Sequence, residues 1–80
     1  MASFKIVVKA SAERDLIAIP FPHRRSIVHA IGALKRDPRP PKSEALPRAG
    51  GRRLHVAGYR VVYLLDESSG VIRIIRIAQS

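Results

Sequence analysis

The residues best suited to chemistry lie in one stretch, Arg52-Arg53-Leu54-His55-Val56-Ala57-Gly58-Tyr59-Arg60-Val61-Val62-Tyr63. A guanidinium keeps its charge at physiological pH and offers paired N–H donors that match two phosphate oxygens. An imidazole titrates near neutrality and can move a proton. Arg53, His55 and Arg60 therefore form a candidate set for recognising an anion such as a phosphate. Arg60 has a bland alternative, which is to brace the sheet by pairing with Asp66 or Glu67.

The three side chains converge only if the stretch folds as a hairpin. It reads as two short strands joined at Ala57-Gly58. If Val56 and Tyr59 flank a two-residue turn, then Leu54 pairs with Val61, His55 with Arg60, and Arg53 with Val62. Strand residues alternate between two faces. One face then carries Leu54, Val56, Tyr59, Val61 and Tyr63 and belongs to a core. The other gathers Arg53, His55 and Arg60. Cations collected on one face repel each other, so an anionic partner is expected. Arg52 alternates to the opposite face.

The hairpin needs a scaffold. Phe4, Ile6 and Val8 alternate with Lys5, Val7 and Lys9, which predicts a first strand. Ser11 is a candidate N-cap for a helix over residues 12–19, with Glu13 and Asp15 near its positive end. Pro20 and Pro22 separate it from a second helix over residues 22–36. There Ile27, Ile31 and Leu34 form an apolar stripe. Asp37-Pro38 ends that helix. Residues 39–51 read as a loop with Pro40, Pro41, Pro47, Gly50 and Gly51, and its Arg39, Lys42 and Arg48 either contact an anionic partner or are simply solvated. The second hairpin strand runs to Asp66. Glu67-Ser68-Ser69-Gly70 supplies a turn, and residues 71–78 form a last strand.

The order is β-α-α-β-β-β. This is an α+β fold, with two N-terminal helices packed on one face of a small antiparallel sheet. If Leu65 opposes Val71, then Arg60 opposes Arg76, which joins the cationic face. A one-residue shift puts Arg73 there instead.

Bulk properties narrow the function classes. The chain has 80 residues, enough for one small domain. With no cysteine and three histidines lacking metal-ligand spacing, neither a disulfide, a structural metal nor a cofactor is expected. Fifteen Lys and Arg against six Asp and Glu give a net charge of +9. That balance favours polyanionic partners, such as nucleic acid or an acidic protein segment. No run approaches the roughly 20 apolar residues of a membrane span. Lys5 and Lys9 interrupt any secretory signal pattern. A cytoplasmic protein with no membrane partner is the expectation.

The ordered set of local features resembles the RelE/ParE superfamily of toxins from type II toxin–antitoxin modules. Ala12-Glu13-Arg14-Asp15-Leu16 followed by Ile19-Pro20 looks like the family's first helix and its break. Ile31 and Leu34 followed by Arg36-Asp37-Pro38 looks like the end of its second helix. Val56-Ala57-Gly58-Tyr59-Arg60-Val61-Val62-Tyr63 is similar to its Gly-Tyr-Arg stretch, and Ile74-Ile75-Arg76-Ile77-Ala78 to its last strand.

The resemblance implies a single RelE/ParE-like domain over residues 1–80. For the RelE branch it implies an endoribonuclease that cuts messenger RNA in the ribosomal A site and so inhibits translation. In that chemistry the ribose 2′-hydroxyl attacks the adjacent phosphate. Arg60 matches the family's catalytic arginine, Arg53 a strand position where the branch has lysine, and His55 a position that is often basic. Arg76, Arg52, Lys42 and Arg48 fall to RNA or partner binding. The implied partners are a cognate acidic antitoxin in a hetero-oligomer, and the ribosome with its messenger RNA. The family's last strand usually ends in His-Arg or Arg-Arg and continues into a tail bearing a tyrosine, where this sequence has Gln79 and Ser80. That departure keeps two alternatives open. One is a ParE-like toxin acting on DNA gyrase without chemistry of its own. The other is a catalytically degenerate remnant that only binds its antitoxin.

Overall fold

The computed structural model describes residues 3–80. The alternating first segment forms strand β1 (Lys5–Val8). Helix α1 (Ala10–Ile17) begins after Lys9, so Ser11 lies inside its first turn rather than capping it. The Ser11 hydroxyl instead donates to the Ile75 carbonyl at 2.7 Å. Helix α2 (Phe21–Ala33) carries Pro22 in its first turn, where a missing N–H costs nothing. It stops short of the expected Arg36, because Leu34, Lys35 and Arg36 N–H groups bond three residues back and tighten the chain out of α-helix.

The segment expected to be all loop contains a short strand, β2 (Ser43–Ala45). The hairpin strands are β3 (Gly51–Val56) and β4 (Tyr59–Asp66), and the last strand is β5 (Val71–Gln79). The expected order of two helices followed by a hairpin and a final strand is present, with β2 added. The five strands run β1-β5-β4-β3-β2. All neighbours pair antiparallel except β1 and β5, which pair parallel, so the sheet is mixed. A parallel pair needs a long crossover, and the rest of the chain supplies it.

The β3–β4 register is the one alternation predicts: Leu54 opposes Val61, His55 opposes Arg60, and Arg53 opposes Val62. The β4–β5 register differs from the expectation. Leu65 opposes Ile72, not Val71, and Arg60 opposes Ala78, not Arg76. Between them Tyr63 opposes Ile74 while Val62 opposes Arg76, so Ile75 is an extra residue in a β-bulge. The bulge is what lets Ile72, Ile74 and Ile77 all be buried, since uniform alternation would expose one of them. By the same step, Arg73 and Arg76 both lie on the opposite face rather than one in place of the other.

The core fills the space between the helices and one face of the sheet. Ala12, Ile19, Ile27, Ile31 and Leu34 meet Leu54, Val61, Tyr63, Leu65, Ile72, Ile74 and Ile77 there. Each large aliphatic side chain buried in this way contributes roughly 1.5–3 kcal/mol. The fully buried Tyr63 donates its hydroxyl to the Pro38 carbonyl at 2.6 Å, which ties the segment after α2 to the sheet. Tyr63 and Tyr59 both face the core side, as expected for packing residues. No helix among the described residues is long and apolar enough to cross a membrane.

Candidate functional site

The hairpin turn sets the geometry. Ala57 (φ 54°) and Gly58 (φ 80°) both occupy the left-handed region that a two-residue type I′ turn demands. This turn matches the twist of the strands and seats His55 directly across from Arg60. Because the helices cover the other side, the sheet face carrying these residues is open. Across it run two cross-strand rows, His55–Arg60–Ala78 and Glu44–Arg53–Val62–Arg76.

Sequence reasoning missed Glu44. Its Oε2 accepts from Arg53 Nη2 at 2.8 Å and Nε at 3.2 Å, and lies 3.3 Å from His55 Nε2. The Arg53 hydrogen bonds, and secondarily His55, hold the Glu44 carboxyl below its ordinary pKa. The side chains are 37% exposed for Arg53 and 49% for Glu44 and His55, so water screens the group and an incoming anion can compete for its cations.

The remaining arginines on the face are matched in the same way, with one exception. Arg73 pairs with Asp66 at 3.8 Å. Arg76 reaches over the sheet edge to Asp15 on α1, with Nε 2.8 Å from Oδ2. The Arg76 hydrogen bond is the largest influence holding the Asp15 carboxyl below its usual range, aided by the Ile77 N–H and opposed by desolvation. Arg60 alone among these arginines has no carboxylate partner among the described residues. Its Nη1 donates to the Gln79 carbonyl at 3.0 Å. The brace on Asp66 or Glu67 does not form, since Glu67 pairs with Arg39.

The other predicted contacts are dispersed. Arg52 points to the opposite side of β3 from Arg53, where its Nη2 donates to the Ser43 hydroxyl at 2.9 Å. Arg48 lies beside it in a notch at the base of the hairpin. Lys42 and His55 border a separate, mostly apolar cavity of about 430 Å³ between α2 and β3. Thus Arg53, His55 and Arg60 are brought together, and Lys42 adjoins them through the His55 backbone N–H, which donates to the Lys42 carbonyl at 3.2 Å. Arg76 shares their face but is bound to α1, and Arg48 and Arg52 lie elsewhere. No group of three His, Asp or Glu among the described residues is placed to hold a metal ion.

Two helices on one face of a small mixed sheet, with a cationic hairpin on the other face, define the RelE-like α+β toxin fold. The same fold is found in the RelBE2 toxin–antitoxin complex of Mycobacterium tuberculosis, at TM-score 0.84 and 26% identity over 98% of this chain and 99% of that one. It recurs in the archaeal RelE–RelB complex of Pyrococcus horikoshii (TM-score 0.87, 20% identity, 96% and 94% of the two chains). The YoeB/ParE toxin of Agrobacterium tumefaciens also shares it (TM-score 0.79, 24% identity, 96% and 99%). No protein of curated function matches the sequence significantly. The family model for the ParE toxin of type II toxin–antitoxin systems, parDE, matches residues 6–80. The chain belongs to that family and is a RelE/ParE-type toxin.

Proposed function

We propose that this toxin is a RelE-like, ribosome-dependent messenger-RNA endonuclease, with the open face around Arg60 as its active surface. The observation that carries the reading is Arg60 itself. It is the one arginine of that face held by a neutral carbonyl rather than by a carboxylate, and His55 sits directly opposite. A phosphate displaces a carbonyl from a guanidinium readily, because two charge-assisted hydrogen bonds replace one neutral one. Arg60 thus takes the non-bridging oxygens of the scissile phosphate and stabilises charge as the 2′-oxygen adds to phosphorus. His55 receives the 2′-hydroxyl proton, and Glu44, already 3.3 Å from its Nε2, steadies the imidazolium that results. The 5′-oxygen leaves with a proton from water. Arg53 exchanges Glu44 for a neighbouring phosphate.

The partner in the cell is a small antitoxin with an acidic segment, which would cover the cationic face while the module is silent. Both solved complexes named above pair a toxin with an antitoxin. A cytoplasmic location follows from a ribosomal target.

The test is toeprinting of translating ribosomes with purified toxin. Cleavage within the A-site codon, abolished by Arg60→Ala, is the expected result. An intact message at excess toxin overturns the reading. The second reading, a gyrase poison, is favoured by the family model, whose description is a ParE toxin. It predicts inhibited supercoiling with translation untouched, and the two assays run side by side separate the readings.

A further inference from the structure

The sheet's other side holds a second concentration of positive charge. At the base of the hairpin, Arg39, Arg48 and Arg52 surround an open notch of about 310 Å³ together with Gly50, Gly51 and Glu67. Three guanidinium groups face one carboxylate there, and that carboxylate is already taken by Arg39. Arg48 forms no salt bridge among the described residues. Arg52 has one neutral partner, Ser43, and its Nε is buried with no hydrogen-bond partner among the described residues. Arg52 thus brings its charge to the notch without a carboxylate to neutralise it.

The notch is also shaped. A Cβ on Gly51 would lie 2.6 Å from Arg48 Cγ, so only glycine lets the Arg48 stem fold across the first residue of β3. A Cβ on Gly50 would lie 2.5 Å from the Leu65 carbonyl oxygen, which fixes the chain tightly against β4 at the same place. Arg52 and Arg53 are consecutive on β3 and so project to opposite sides of the sheet. The notch is therefore not an extension of the Arg60 face.

We propose that this notch is a phosphate-binding site, with Arg48 and Arg52 as its ligands and Arg39 as a third donor when it leaves Glu67. A phosphate there comes either from a polynucleotide backbone or from free phosphate. Under the nuclease reading, it anchors RNA on the side of β3 away from the scissile bond, and that assignment to RNA rests on that reading.

The experiment follows the Nε–Hε signals of the arginines by NMR, with the intact toxin and no ribosome. Oligouridylate and inorganic phosphate are titrated separately, against sodium chloride at matched ionic strength. Saturable movement of the Arg48 and Arg52 signals with oligouridylate is expected. Arg48→Gln should weaken it roughly tenfold, the loss of one charge-assisted contact, and lower the salt slope of binding by about one. Arg52→Lys, which keeps the charge but loses the fork, should also weaken it. Movement with inorganic phosphate alone keeps the site and assigns it to free phosphate. No movement, or movement equal to that with chloride, overturns it. Because nothing here is cleaved, these results stand whether or not A-site cleavage is seen.

Discussion

The Asp15 carboxylate on α1 accepts the backbone N–H of Ile77 on β5 at 2.8 Å, across 62 residues of sequence. β1 protects the outer edge of β5 only as far as Ile74. Beyond that point α1 takes over, with Ser11 serving the Ile75 carbonyl and Asp15 the Ile77 N–H. Side chains of a helix thus finish the edge that a strand begins, and this blunts an edge that would otherwise template aggregation.

Replacing Asp15 with alanine leaves the Ile77 N–H unmatched and should cost about 1–2 kcal/mol at neutral pH. The folded-state pKa of Asp15 is depressed, chiefly by the Arg76 hydrogen bond. Its contribution is therefore complete above the unfolded value, about 3.9, and is lost as pH falls through the lower folded value. Urea unfolding of wild type and Asp15→Ala should show a gap at pH 7 that narrows below about pH 4. A gap independent of pH would contradict this account.

Ala57 holds φ 54° in the hairpin turn, a conformation that penalises a Cβ. Ala57→Gly relieves the strain but gives the unfolded chain more freedom. The net gain should be about 0.5–1 kcal/mol, or roughly 3–6 °C in Tm. Thermal unfolding by circular dichroism measures it, and a lower Tm would show that the turn is not strained.

Glu44 divides its carboxylate between Arg53 and His55. Glu44→Gln removes the charge that neutralises them and the group that steadies His55. Affinity for oligouridylate should rise roughly two- to fivefold at 0.1 M salt with a steeper salt slope, while A-site cleavage falls. Two effects of the same sign would refute the role given to Glu44.

Arg60→Ala should lower cleavage by about 10²–10³-fold, the usual loss for one donor to a developing oxyanion. Its one hydrogen bond is exposed, so stability should move by no more than about 0.5 kcal/mol. Arg60→Lys should rescue little, because an ammonium cannot span two phosphate oxygens. Growth arrest on induced expression, with urea unfolding as the control, reads both effects. Full toxicity of Arg60→Ala would remove Arg60 from the site.

What was legible in the sequence was local. The pairing of His55 with Arg60 followed from the two-residue turn and from alternation over a few residues on each side. The placement of Tyr59 and Tyr63 on the core side followed for the same reason. The β4–β5 pairing was not legible, because the bulge at Ile75 is imposed by which isoleucines the core must cover, not by any turn residue. Ser43-Glu44-Ala45 carries no β-branched or aromatic residue, so propensity could not mark it as a strand. With β2 unseen, Glu44 had no place opposite Arg53, and the cationic face looked less neutralised than it is. The Asp15–Arg76 pair was hidden in the same way, since it depends on where α1 crosses the end of β5.

The position of β5 between β1 and β4 also constrains how the molecule comes into being. The first strand of the chain has no sheet to join until the last has been synthesised, and Arg60 has no Gln79 carbonyl to hold until then. Contacts of such long sequence separation make folding slow and highly cooperative. The β2–β3–β4 part of the cationic face can pair by itself, but the Arg60–Gln79 contact and the row that ends at Arg76 are complete only once β5 has joined the sheet.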